Sequence, residues 1–145
     1  MNVEEAQAMY STVSGSVPGQ ISDSQVLSLL RTKEIDWKYI STIKNLTDFN
    51  DDIISEWLNI SVRTFRSYQK PNAKFKENFK EHLLLLISLI KHGVEVFGTK
   101  EKFDRWLSMA NFFFDKKAPA SFLSTVSGIR FVDDSLTGMQ YGDNV

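Results

Sequence analysis

The side chains of this chain best suited to chemistry are the cations and hydroxyls between Ser61 and Lys70. Arginine and lysine neutralise phosphates, and arginine can also donate two parallel hydrogen bonds to guanine in the major groove of DNA. Because they recur at helical spacing, one face of a short helix would present them together. The candidate DNA-binding residues are Ser61, Val62, Arg63, Thr64, Arg66, Ser67 and Lys70.

All of these residues except Val62 have an expected contact. Arg63 and Arg66 suit bases or phosphates, and Lys70 suits a phosphate. Ser61 and Ser67 can bond either, whereas Thr64 is expected to face a neighbouring helix or the backbone. A solvated helix surface with no DNA role is the alternative interpretation of the same charges.

The surrounding residues follow the order that two short helices joined by a tight turn require. Ser55 is small where the helices would touch, and Asn59 tolerates a positive φ in the turn. Ser61 can cap the second helix with its hydroxyl. The pattern predicts helices at about 50–58 and 62–69, the second ended by Pro71. Apolar positions at the expected places are Ile54, Leu58, Ile60, Phe65 and Tyr68.

Charge is distributed unevenly although the net charge is only −1. Six cations lie from Arg63 to Lys80 against the single acid Glu77, which favours a small DNA footprint rather than a nonspecific coat. The last fifteen residues hold Asp133, Asp134 and Asp143 with no base.

Little in the sequence indicates catalysis. With no cysteine and two histidines ten residues apart, His82 and His92, the chain lacks the spacing of a metal site on one helix face. Each histidine is expected at the surface or its boundary. The adjacent acids Asp51-Asp52 and Asp133-Asp134 are interpreted as charges at helix N-termini. No enzyme activity, metal or cofactor is predicted.

Length and composition favour a soluble, cytoplasmic protein of one domain or two small subdomains. Of 145 residues, 42% are apolar, enough for a core. The longest apolar run is far shorter than the ~20 residues that a membrane span requires, and no signal peptide is indicated.

The helical spacing of apolar residues along the chain predicts an all-α fold. Residues 1–20 are expected to be a mobile arm, residues 21–71 a helix-turn-helix subdomain, and residues 72–145 a small helical subdomain. Helices are expected from the capping box Ser22–Gln25, from Trp37 to Leu46, from about Ala73 to Glu95, and after Thr99. A short helix from Pro119 to Gly128 and a last helix at Val132, Leu136 and Met139 complete the series.

Phe112, Phe113 and Phe114 are consecutive aromatics with two open interpretations. They can pack in the core, or they can form an apolar patch that is covered by another protein. Three successive aromatic side chains cannot all face one core.

Residues 97–142 resemble the C-terminal region of the MbcA/ParS/Xre antitoxins, the partners of RES-domain toxins. The start of the second helix at Ser61-Val62-Arg63-Thr64-Phe65 also resembles these proteins, and together the two regions cover about 20–142. One departure is Asp115 to Ala118, where family members often have glycines. The residues that carry the resemblance are Phe97, Gly98, Trp106, Leu107, Asn111, Pro119, Leu123, Thr125, Gly128, Val132, Leu136, Tyr141 and Gly142.

The resemblance implies an antitoxin that occludes the NAD-consuming site of a RES-domain toxin and represses its own operon. It also implies a homodimer bound to a two-fold operator, with no role at a membrane. A stand-alone helix-turn-helix regulator whose C-terminal half only dimerises is the alternative, and a helical adaptor without a DNA role is the third.

For contact with the toxin we expect the last helix and the acidic end to act together. A short acidic terminus could occupy a basic nucleotide pocket. The alternative is that the apolar members simply pack beneath the preceding helices. The candidate toxin-binding residues are Val132, Asp133, Leu136, Tyr141 and Gly142.

Overall fold

A computed structural model describes residues 1–142, and every element it contains is a helix, which confirms the all-α prediction. Two 3₁₀ turns, Phe112–Phe114 and Pro119–Phe122, separate the last two α-helices. The α-helices are α1 Val3–Ser16, α2 Asp23–Thr32, α3 Trp37–Leu46, α4 Asp51–Trp57, α5 Val62–Ser67, α6 Glu77–Phe97, α7 Lys100–Ser108 and α8 Val126–Gln140.

The 21-residue helix α6 is the centre of the fold. Every residue from His82 to Ile90 is buried, because α2 and α3 pack on this helix as well as α7 and α8. Gly98 ends α6 with φ +89°, a left-handed conformation that favours glycine. A single core therefore joins the helices before and after α6.

Side-chain caps set the helix starts much as the sequence predicts. Ser22 and Gln25 form the expected capping box of α2. The Thr99 side chain accepts a hydrogen bond from the Lys102 amide at the start of α7. Asp51 and Asp52 lie in the first turn of α4, where carboxylates interact favourably with the helix dipole.

The prediction of a mobile arm at residues 1–20 is wrong, because this segment folds onto the core. Helix α1 packs on α3 and buries Val13 and Val17. The Lys91 ammonium on α6 donates to the Ser14 and Val17 carbonyls at the end of α1. Burial lowers the pKa of Lys91 and raises that of Tyr39 on α3. Two buried valines among polar residues leave only a weak periodic signal in the sequence.

The prediction that a helix ends at Gly128 is also wrong. Pro119 opens only a 3₁₀ turn, and Gly128 lies in the first turn of α8, where its amide donates to the Thr125 side chain. A Cβ atom at residue 128 would stand 1.7 Å from the Phe122 carbonyl oxygen. Glycine is required here by a close approach of the chain.

No single helix within residues 1–142 is both long and apolar enough to cross a membrane. Helices α6 and α7 pass that test only as a pair, and they are bent by 109° at the break between them.

Candidate functional site

The helix pair α4–α5 has the local geometry that the sequence predicts. The Asn50 side chain accepts from the Ile53 amide at the start of α4, and Ser61 Oγ accepts from the Thr64 amide at 3.0 Å. Asn59 adopts φ +57° between the helices. The turn is thus specified by the Ser61 cap at the start of α5 and by Asn59, which tolerates the left-handed region.

Apolar contacts fix the pair against the core. Ile54, Leu58 and Phe65 are buried, as is the small Ser55, whose hydroxyl donates to the Asp52 carbonyl at 2.8 Å. Tyr68 lies just past α5. Its ring packs on Phe75, which precedes α6, and on Phe79, in the first turn of α6. The orientation of α5 is therefore set by buried side chains rather than by its surface.

The outward side of α5 presents most of the predicted DNA-binding residues. Ser61, Arg63, Arg66, Ser67 and Lys70 are exposed, whereas Val62 and Thr64 are half-buried. Thr64 Oγ1 accepts a hydrogen bond from Ser61 Oγ at 3.0 Å, so both hydroxyls belong to the cap.

The cations of this surface are not equivalent. Arg66 Nε lies 3.5 Å from the Asp51 carboxylate, and Lys44 Nζ binds the other oxygen of that carboxylate at 3.0 Å. Within residues 1–142, Arg63 and Lys70 make no ion pair with any acid. Their charges are uncompensated, whereas that of Arg66 is shared with Asp51.

The predicted toxin-binding residues divide into buried and exposed groups. Val132 and Leu136 have no exposed surface and pack in the core, which is the alternative considered from the sequence. Tyr141 is 73% exposed, and Gly142 follows it with φ +83°. Of the acidic end, Asp134 is exposed, whereas Asp143 lies outside the described residues.

Asp133 is a structural acid in the middle of α8, so the interpretation of Asp133-Asp134 as helix N-terminal charges is wrong. Its Oδ1 accepts from His92 Nδ1 at 2.7 Å, and His92 is fully buried. His92 Nε2 faces the side-chain amides of Gln20 at 2.9 Å and Gln140 at 3.1 Å. This cluster joins α6, α8 and the segment between α1 and α2.

Both histidines are buried, which corrects the expectation of surface or boundary positions. His82 Nε2 lies 3.0 Å from the Leu123 carbonyl oxygen and so donates to it. The partners of His92 lie between 41 and 72 residues away in sequence, and no local pattern indicates them. Within residues 1–142, no group of three or more His, Asp or Glu side chains could hold a metal ion.

Asp104 on α7 is another acid that sequence reasoning missed. Its two oxygens accept from Thr47 Oγ1 at 2.9 Å and from the Asp48 amide at 3.0 Å, which ties the loop before α4 to α7. Burial raises the pKa of Asp104, and these two hydrogen bonds offset the rise only in part.

The three consecutive phenylalanines divide between the core and the surface. Phe114 is buried and contacts the rings of Trp106, Phe122 and Phe131. Phe112 and Phe113 point outward and are 86% and 57% exposed.

Residues 92–142 match the family described as the antitoxin Xre/MbcA/ParS C-terminal toxin-binding domain. The match begins at the buried His92 and includes α7, both 3₁₀ turns and α8. No curated protein matches the chain. The exposed Phe112, Phe113 and Tyr141 therefore lie in a region, residues 92–142, that is similar to the toxin-binding domain of the Xre/MbcA/ParS antitoxins.

Proposed function

We propose that this chain is an antitoxin that neutralises a RES-domain, NAD-consuming toxin and represses its own operon as a homodimer bound to operator DNA. The observation that carries the toxin part is the match of residues 92–142 to a toxin-binding domain. In this proposal residues 21–71 read DNA and residues 72–145 bind the toxin. The identity of the toxin rests on the family resemblance of the C-terminal sequence.

Occlusion of the toxin is assigned to the end of α8. Tyr141 and Gly142 are exposed there, and Asp134 adds a negative charge on the same helix. The fold holds this end in place through residues earlier in α8. Val132 and Leu136 are buried in the core, and Asp133 binds His92. A basic nucleotide site on the toxin would be complementary to this acidic terminus.

Removal of residues 141–145 tests the occlusion. This deletion spares Leu136 and Asp133, so the core and the His92 cluster remain intact. Co-expression with a RES-type protein encoded beside the gene should show lost protection of the cells. Restored growth despite the deletion would refute the role of this end.

Operator recognition is assigned to α5, and the uncompensated Arg63 is its principal residue. A bidentate arginine–guanine contact contributes about 1–3 kcal/mol of discrimination. Arg63→Ala should therefore weaken operator binding roughly tenfold to a hundredfold in a gel shift at fixed salt. Arg105→Ala on α7 removes another exposed arginine outside the proposed surface and should bind normally. Equal affinity of both variants would reject the assignment of α5.

A stand-alone regulator whose C-terminal half only dimerises is separated from this proposal by purification. An antitoxin and its toxin should co-elute in size-exclusion chromatography after co-expression. A regulator that only dimerises would elute as a dimer without the second protein.

A further inference from the structure

Exposed apolar side chains are concentrated in the toxin-binding domain. Among the described residues, five of the eight large hydrophobic side chains that are exposed lie within 92–142, about a third of the chain. Three of the five are phenylalanines, and we call Phe112, Phe113 and Phe131 the aromatic patch. Exposed apolar groups that cluster in this way mark interaction sites.

Phe113 and Phe131 line one shallow cavity of about 290 Å³, together with Phe114 and Asp134. Phe114 forms its apolar floor and is itself buried. A cavity with an aromatic floor and walls suits an apolar side chain of a partner, and Asp134 adds one polar group at its edge.

The backbone holds the aromatic patch in place. Asn111 Oδ1 accepts from the Phe113 amide at 2.8 Å, and Asn111 pairs with Lys117 across the base of the loop. Asp115 and Lys116 have φ of +56° and +64°, a conformation that costs energy for residues other than glycine. A preorganised aromatic surface loses less entropy on binding than a flexible one.

Helix α8 connects the aromatic patch to the proposed occluding end. Phe131, Asp134 and Gly138 lie on one face, since residues three and four apart are neighbours on a helix. From Phe131 to the last residue of α8 the distance along the axis is about 14 Å, at 1.5 Å per residue. One partner surface can therefore contact the aromatic patch and Tyr141 at the same time.

We infer that the aromatic patch is a second docking site for the toxin, an apolar anchor beside the occluding end of α8. The inference rests on the proposed function, because it takes the toxin as the partner of residues 92–142. A fully exposed phenylalanine buries roughly 150–250 Å² when covered. Because Phe112, Phe113 and Phe131 are 86%, 57% and 48% exposed, covering them buries roughly 300–500 Å², about half of the ~800 Å² that each partner contributes to a standard interface.

The test compares one double variant and one single variant with the wild-type chain. Phe112→Ser with Phe113→Ser removes the two most exposed members of the aromatic patch and leaves Phe114 and Phe131 in place. Leu27→Ser is the matched control, because Leu27 is 60% exposed on α2 and lies outside the matched domain. Binding to a catalytically inactivated RES-type toxin is measured by calorimetry, together with operator binding and elution volume.

The double variant should bind the toxin at least tenfold more weakly, whereas Leu27→Ser should bind as the wild type does. Unchanged toxin affinity in the double variant would overturn the aromatic patch as an anchor. A change from dimer to monomer with toxin binding retained would also overturn it, because a second copy would then cover this face. Failure of the wild-type chain to bind any RES-type toxin would instead refute the proposed function, and the inference with it.

Discussion

At the scale of single residues, the structure changes the meaning of the acidic side chains most. Asp133 and Asp134 are adjacent in sequence, yet one binds a buried histidine and the other faces solvent. Because successive residues on a helix point about 100° apart, their roles cannot be exchanged. Asp133 positions α8 against α6, and only Asp134 is free to face a partner.

Asp133→Ala should lower the free energy of unfolding by about 1–3 kcal/mol, because it leaves His92 Nδ1 buried without an acceptor. Asp134→Ala should stay within about 0.5 kcal/mol of the wild type, as exposed substitutions usually do. Urea unfolding of both variants measures the difference. Equal stabilities would mean that the bond between Asp133 and His92 contributes nothing net.

Asp104 predicts a pH dependence of stability. Its folded pKa is raised above the ordinary 3.8 mainly by burial, so the folded chain holds this proton more tightly than the unfolded chain does. Its contribution is therefore largest below pH 3.8 and is lost as the pH rises through the folded pKa. As the pH rises through the folded pKa, the unfolding free energy of the wild type minus that of Asp104→Asn should decrease. If this difference in unfolding free energy increases with pH instead, the folded pKa of Asp104 is lowered rather than raised.

At the scale of elements, the turn between α4 and α5 depends on the backbone conformation of Asn59. Asn59→Ala should destabilise the protein by about 1 kcal/mol, because alanine has no local hydrogen bond to offset the left-handed region. Asn59→Gly should be neutral within about 0.5 kcal/mol, because glycine adopts positive φ freely. Urea midpoints that were equal for Ala and Gly would show that the turn relaxes to another conformation.

The junction between the second 3₁₀ turn and α8 depends on the absence of a side chain at residue 128. Gly128→Ala should cost about 1–3 kcal/mol or more, because the added methyl group meets the Phe122 carbonyl oxygen. Gly15→Ala in α1 is the matched control, since nothing lies within 4 Å of its added Cβ. That control should be stabilising by up to about 1 kcal/mol. Thermal unfolding that ranks the two variants the other way would contradict the close approach.

At the scale of the whole molecule, α6 connects the proposed DNA-binding part to residues 92–142, the part proposed to bind the toxin. It packs on α2 and α3 as well as on α7 and α8. Arg130 on α8 also binds Asp23 on α2 at 2.6 Å, and Gln20 binds the His92 cluster. The proposed DNA-binding part and the proposed toxin-binding part therefore pack on one common core.

Operator binding should depend on salt in proportion to the phosphates that are neutralised. Arg63→Ala should reduce the slope of log K against log salt concentration by about 1 if Arg63 contacts a phosphate. Arg66→Ala should reduce it less, because Asp51 already shares the Arg66 charge. Titrations at several salt concentrations measure both slopes. An Arg66 effect equal to or larger than that of Arg63 would show that DNA displaces Asp51.

The sequence by itself determined the helical class and most helix boundaries. It also determined the capping box at Ser22, the place of Asn59 in the turn, and the exposure of the cations of α5. These features depend on neighbours three or four residues apart, which a sequence displays directly. Only the tertiary structure decided that residues 3–16 pack as a helix, that Val132 and Leu136 are internal, and that Asp133, His92 and Gln20 meet. Those outcomes depend on contacts between distant segments, such as the His92 contacts over 41 and 72 positions and the packing of α1 on α3, for which the local pattern carries no signal.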